Sequence, residues 1–212
     1  MDMRNDLLIQ RPEAAATRQL LLLFHGVGSS AEDLRPLGEA LAAQRPQACV
    51  VSVRSPDSSD LGQGWQWFSV RGVTEADRPA RVAAAMPRFV ETVPAWQRES
   101  GVGPGGTTLI GFSQGAIMAL ESTQQPAPVA GRVIARAGRF ARPPRVAPLQ
   151  VALHLLHGDQ DRVMPPALAD DAVRQWRALG GSASLATFTG LGHGIDARVV
   201  RRVAEHFGAT PS

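Results

Sequence analysis

The chain has 212 residues, 44% hydrophobic and 19% charged, which is enough apolar matter for a large core and too little charge for a disordered chain. Its single cysteine, Cys49, excludes an internal disulfide framework and a cysteine-built zinc site. A pI of about 10.7 suggests a nucleic-acid partner, but all 22 basic residues are Arg, so only Cys49 titrates between about pH 8 and 12 and the formal charge of +3 persists to high pH. No Arg-dense run with interleaved aromatics appears, so no nucleic-acid partner is expected.

The length fits one domain over residues 1–212. Residues 1–11 carry Asp2 and Asp6 and no apolar h-region, so they do not read as a signal peptide. The first apolar run, 20–24, is a strand's length and far short of the ~18 residues of a membrane span. A cytoplasmic protein with no stable membrane insertion is the expectation.

In chain order, the apolar run 20–24 reads as a strand, and 32–43 as a helix with Ser30 and Asp33 as candidate N-caps. A strand over 48–53 and a loop over 55–64 lead to a long helix over 78–98. The loop 101–106, the strand 107–112 and the helix 114–122 follow. Another loop, 126–131, precedes a strand over 132–135, and a Pro- and Arg-rich connection over 142–148 leads to a strand over 151–156. Pro165 and Pro166 open a helix over 166–179, Gly180 and Gly181 stop it, and a strand over 184–188 and a helix over 195–207 complete the chain. Buried strands alternating with amphipathic helices predict an α/β fold, a mostly parallel sheet flanked by helices on both faces.

Gly111-Phe112-Ser113-Gln114-Gly115 sits where that strand meets that helix, the setting in which G-x-S-x-G presents a serine on a tight turn. The string alone is weak, since an ordinary Gly-rich turn would also contain it. Downstream, His157-Gly158-Asp159-Gln160-Asp161 ends a strand with two acids, and Gly190-Leu191-Gly192-His193-Gly194 places a histidine in a glycine-rich loop. The order Ser, Asp, His is that of the α/β-hydrolases. A serine hydroxyl is a poor nucleophile, so His193 must take its proton and an acid must orient the imidazole. Asp161 is preferred to Asp159 because Val163 and Pro165 follow it, and Asp159 is assigned to bracing the turn. Acyl transfer also develops an oxyanion, for which the backbone N–H groups of Gln114 and of Val27, in the turn His25-Gly26-Val27-Gly28, are the candidate donors.

These motifs, with Trp65-Gln66-Trp67-Phe68-Ser69, resemble the phospholipase/carboxylesterase group of α/β-hydrolases along essentially the whole chain. The resemblance implies hydrolysis of a small-molecule carboxylic ester or thioester, no metal or other cofactor, no inserted cap domain, a possible homodimer, and triad roles on Ser113, Asp161 and His193. Short to medium acyl esters are the leading substrate class. A thioesterase, a lysophospholipase, or a non-catalytic binding protein on the same fold are the alternatives.

Four further readings remain to be met by the structure. Trp65, Trp67 and Phe68 wall an acyl pocket or fill a core gap, with the pocket preferred and Phe68 the most core-like. Arg136 and Arg139 depart from the small or hydroxyl residue usual in the group, and either select an acidic substrate or, as expected here, reach solvent. His154, His157 and His206 read as packing residues, and the position of His25 matters through its backbone. Met118 and Leu120 are expected to pack on the sheet.

Overall fold

In the computed structural model, which describes residues 5–207, the chain opens with a short strand, β1 (Leu7–Gln10), followed by β2 (Gln19–Phe24), α1 (Arg35–Gln44) and β3 (Ala48–Val53). A two-strand ribbon, β4 (Asp57–Ser58) and β5 (Trp65–Gln66), precedes α2 (Arg78–Ser100), β6 (Thr107–Phe112), α3 (Gln114–Ser122) and β7 (Arg132–Arg136). Then come β8 (Ala152–Gly158), α4 (Ala167–Ala178), β9 (Ser182–Phe188) and α5 (Ala197–Glu205). Residues 1–4, part of the stretch read above for a leader, lie outside the described residues.

The main sheet has seven strands in the order β1-β3-β2-β6-β7-β8-β9, all parallel except β1, which runs antiparallel to β3. Alternation along β2 divides the core. Leu20, Leu22 and Phe24 face α2, α3 and α4, together with Phe89, Met118, Leu120 and Trp176. Leu21 and Leu23 face α1 and α5, together with Leu37, Leu41, Val199 and Val203. Both faces are thus covered by helices, the condition under which continuous apolar strands are stable. No described helix is long and apolar enough to cross a membrane.

All six expected strands and five expected helices are present, with ends displaced by a few residues. β1 is not among the expected strands because its apolar run, Leu7-Leu8-Ile9, is only three residues long and lies at the sheet edge with mixed exposure. Ser30 and Asp33 do not cap α1. A 3-10 turn over Glu32–Leu34 intervenes, and Asp33 Oδ2 instead accepts from the Ser30 N–H at 2.9 Å and from Ser29 Oγ at 2.7 Å. The stop after α4 is as expected: Gly180 has φ +84°, and the N–H of Gly181 returns to Trp176 O at 3.1 Å. Met118 and Leu120 are fully buried against the sheet.

Candidate active site

Parallel strands deliver their following loops to one edge of the sheet, and the three motif residues all lie in such loops, after β6, β8 and β9. Ser113 occupies the turn between β6 and α3 with φ +52° and ψ −113°, a conformation that L-residues rarely adopt. Its N–H donates to Arg136 O at 3.0 Å, tying the turn to the end of β7. The flanking glycines are needed for room. A Cβ on Gly111 would lie 2.5 Å from Ala116 Cα, and one on Gly115 would collide with the Phe24 carbonyl.

Ser113, His193 and Asp161 meet, although 80 and 32 residues separate the pairs. Asp161 is acceptor-only when ionised, so His193 Nδ1–H donates to Asp161 Oδ2 at 2.8 Å, which leaves Nε2 to accept from Ser113 Oγ–H at 2.9 Å. The other carboxylate oxygen, Oδ1, accepts from the N–H groups of Val163 at 3.0 Å and Met164 at 2.9 Å. Burial pushes the Asp161 carboxyl up, but the bonds from Met164, His193 and Val163 outweigh it and hold the group below the ordinary carboxylate range. Asp159 takes a different part: its Oδ1 accepts from the Gly190 N–H at 2.7 Å and braces the His193 loop.

The N–H groups of Val27 and Gln114 have no acceptor among the described residues, and both residues line the cavity that opens on Ser113. The Gln114 side chain does something its sequence position did not reveal. Its Oε1 accepts from the Trp67 N–H at 2.7 Å and its Nε2 donates to Phe68 O at 2.8 Å, pinning the aromatic segment to the start of α3. The His25 ring also matters, contrary to expectation. Its Nδ1–H donates to Gly26 O at 2.7 Å while Nε2 accepts from Ser55 N–H at 3.1 Å, and its burial lowers the imidazole pKa, so the neutral ring shapes the turn around Val27.

Two aromatic assignments reverse. Trp67 is 1% exposed and packs against Phe24 and Phe89, so it belongs to the core and not to the pocket, while Phe68, 5% exposed, is a core member as expected and also borders the cavity. Trp65 does not line it. Arg54 stacks on its indole at 3.9 Å, and its backbone pairs with Gly28 and Ser29. Proximity in sequence placed three aromatics together, but Arg54 draws the Trp65 ring away while Phe24 and Phe89 hold Trp67 in the core.

Arg136 does not reach solvent as expected, whereas Arg139 is half-buried and borders the cavity. Arg136, at the end of β7, is 2% exposed; its Nη2 donates to Gly192 O at 2.7 Å and its Nη1 lies 3.9 Å from Asp161 Oδ2. It therefore anchors the carbonyl preceding His193 from beneath. Arg139 lines the cavity. Of the histidines, His157 is buried, donates from Nε2 to Met164 O at 2.8 Å and steadies the Asp161 turn; His154 stacks on His206 with centroids 3.8 Å apart. The cavity has a volume of about 560 Å³ and is mostly apolar, with Ile117, Met164 and Leu168 among its walls.

The sequence profile described as phospholipase/carboxylesterase matches residues 5–210. Esterase YpfH of Escherichia coli (strain K12) is 46% identical over 199 residues, covering 94% of this chain and 85% of that protein. Among solved structures, esterase PE8 superposes with a TM-score of 0.84 at 28% identity, over 93% of this chain and 95% of its own. The Bacillus cereus carboxylesterase gives 0.79 at 18% identity, over 95% and 92%, a likeness of fold.

Proposed function

From the premise that the chain belongs to the phospholipase/carboxylesterase family of the α/β-hydrolase fold, we propose that it hydrolyses short to medium acyl carboxylic esters through an acyl-enzyme on Ser113. The observation that carries this reading is the continuous hydrogen-bond chain from Ser113 Oγ through His193 to Asp161, at 2.9 and 2.8 Å.

As the Ser113 oxygen attacks the ester carbonyl carbon, His193 Nε2 takes the hydroxyl proton and becomes an imidazolium facing the Asp161 carboxylate. Asp161 stays ionised throughout, which is consistent with its lowered pKa. The carbonyl oxygen gains negative charge, and the N–H groups of Val27 and Gln114 receive it; such donors are typically worth about 3 kcal/mol each. Collapse expels the alcohol, which leaves with the proton from His193. Water then repeats the sequence on the acyl-enzyme, His193 again taking and returning the proton, and the carboxylic acid departs. The strained φ of Ser113 holds its oxygen above the turn before substrate arrives, so the positioning is paid for in folding.

The cavity volume of about 560 Å³ and its apolar walls support a short to medium acyl group. Ser113→Ala should lose at least about 10³-fold in kcat/KM toward 4-nitrophenyl butyrate with the fold intact by circular dichroism. Retention of near-parent turnover would contradict the nucleophile assignment.

A further inference from the structure

The cavity that opens on Ser113 has one charged wall, formed by Glu75, Arg78 and Arg139. Arg78 begins α2, and Arg139 follows the Ala137-Gly138 corner after β7. Glu75 joins them: Oε1 accepts from Arg78 Nη2 at 2.8 Å, and Oε2 lies 2.7 Å from Arg139 Nη2. The hydrogen bond from Arg78, and then that from Arg139, hold the Glu75 carboxyl below its ordinary range, so it is ionised at neutral pH.

The charges do not balance. Two guanidiniums share one carboxylate, a net of +1, and no other charged side chain lines this cavity among the described residues. Exposure is uneven as well. The Glu75 side chain is 66% exposed, against 18% for Arg78 and 17% for Arg139, so the anion lies toward solvent while the cations are the covered members. A guanidinium offers five N–H donors. Arg139 directs Nε to Phe140 O at 3.1 Å and Nη2 to Glu75, while Arg78 Nε is buried with no hydrogen-bond partner. Partly dehydrated cations with donors to spare, beside a nucleophile and within an otherwise apolar chamber, are complementary to an anion brought by the ligand.

We propose, building on the esterase reading above, that Arg78 and Arg139 bind an anionic group of the substrate, so that the preferred substrates are esters bearing a carboxylate or other oxyanion within reach of the scissile bond. The apolar walls take the connecting carbons, and Glu75 acts as the built-in competitor that holds the arginines in place when the cavity is empty of substrate. The exposed side of that carboxylate lets it stay solvated while a ligand engages the guanidinium edges that line the cavity.

The test compares kcat/KM for matched pairs, each normalised to its rate of alkaline hydrolysis. Mono-4-nitrophenyl succinate, glutarate and adipate against neutral esters of equal chain length place the anion on the acyl side. The butyrates of 3-carboxy-4-nitrophenol and 4-nitrophenol place it on the alcohol side. The anionic member of at least one pair should be preferred by about tenfold or more; that preference should fall by about tenfold in Arg139→Met and in Arg78→Met, and rise in Glu75→Gln. No preference in the parent, or one that survives loss of the arginines, overturns the proposal, while continued turnover of neutral esters leaves the esterase reading standing. Should an arginine variant fail to fold, Glu75→Gln decides alone, since an unchanged or reduced preference there contradicts the proposal.

Discussion

At the Ser113 corner, three donors converge on the Asp161 carboxylate and the serine hydroxyl already has its acceptor, whereas on the charged wall two arginines share the single carboxylate of Glu75. The triad's carboxylate and hydroxyl are satisfied internally, with the Val27 and Gln114 N–H groups left for the reacting oxygen, whereas the charged wall keeps an unmatched positive charge. Saturation suits chemistry, because groups that need not reorganise stabilise developing charge most effectively. Unspent donors suit recognition, because a ligand can complete what the protein leaves open. The difference separates residues that should set the rate for every substrate from residues that should set the choice among substrates.

The sharpest way to break this comparison is to disturb the saturated corner. Asp161→Asn should lower kcat/KM by about 10³-fold or more for neutral and anionic esters alike, because the amide cannot hold His193 in the tautomer with Nδ1–H donating. Asp159→Asn removes the brace on Gly190 and should cost only about tenfold. Steady-state kinetics on both variants check the order, and a larger loss at Asp159 would exchange their roles.

A smaller effect is expected beneath the corner. Arg136→Met removes the donor to Gly192 O and the cation near Asp161, and should lower kcat/KM by about tenfold through a looser His193 loop. Its melting temperature should change little, since the variant also relieves the desolvation of a buried guanidinium. Unchanged turnover would show that Arg136 has no part in positioning His193.

The smallest effect lies away from both regions and serves as their control. Burial, and then the charges around them, lower the pKa of His154 and of His206 from the ordinary 6.5 to about 4. As pH falls from 6.5 the unfolded chain therefore takes up protons first, so this contribution to stability is complete above about pH 6.5 and is lost progressively down to about pH 4. Thermal melts across that window should show the decline, and His206→Gln should flatten it while leaving ester turnover at pH 7 unchanged. A parent melting temperature that stays level over this range would contradict the account.

The saturated corner was legible in the sequence and the charged wall was not, for a physical reason. Ser113, Asp161 and His193 each sit in a turn whose glycines leave a local signature, and the parallel sheet brings such turns to one edge. Glu75 and Arg78 are neighbours three residues apart, but Arg139 joins them only because α2 begins near the end of β7, and nothing local to the pair announces it. The same limit misplaced Trp65 and Trp67, whose sides are decided by Phe24, Phe89 and Arg54 from other elements. It also hid the Gln114 clamp, visible only when Phe68 is seen to reach α3.

Reaction with a fluorophosphonate probe, followed by peptide mapping, tests the central claim most directly, because phosphonylation requires an activated serine. A single adduct on Ser113, absent in Ser113→Ala and strongly slowed in His193→Ala, is the predicted result. An adduct on another residue, or parent protein that stays unlabelled while hydrolysing esters, would contradict it.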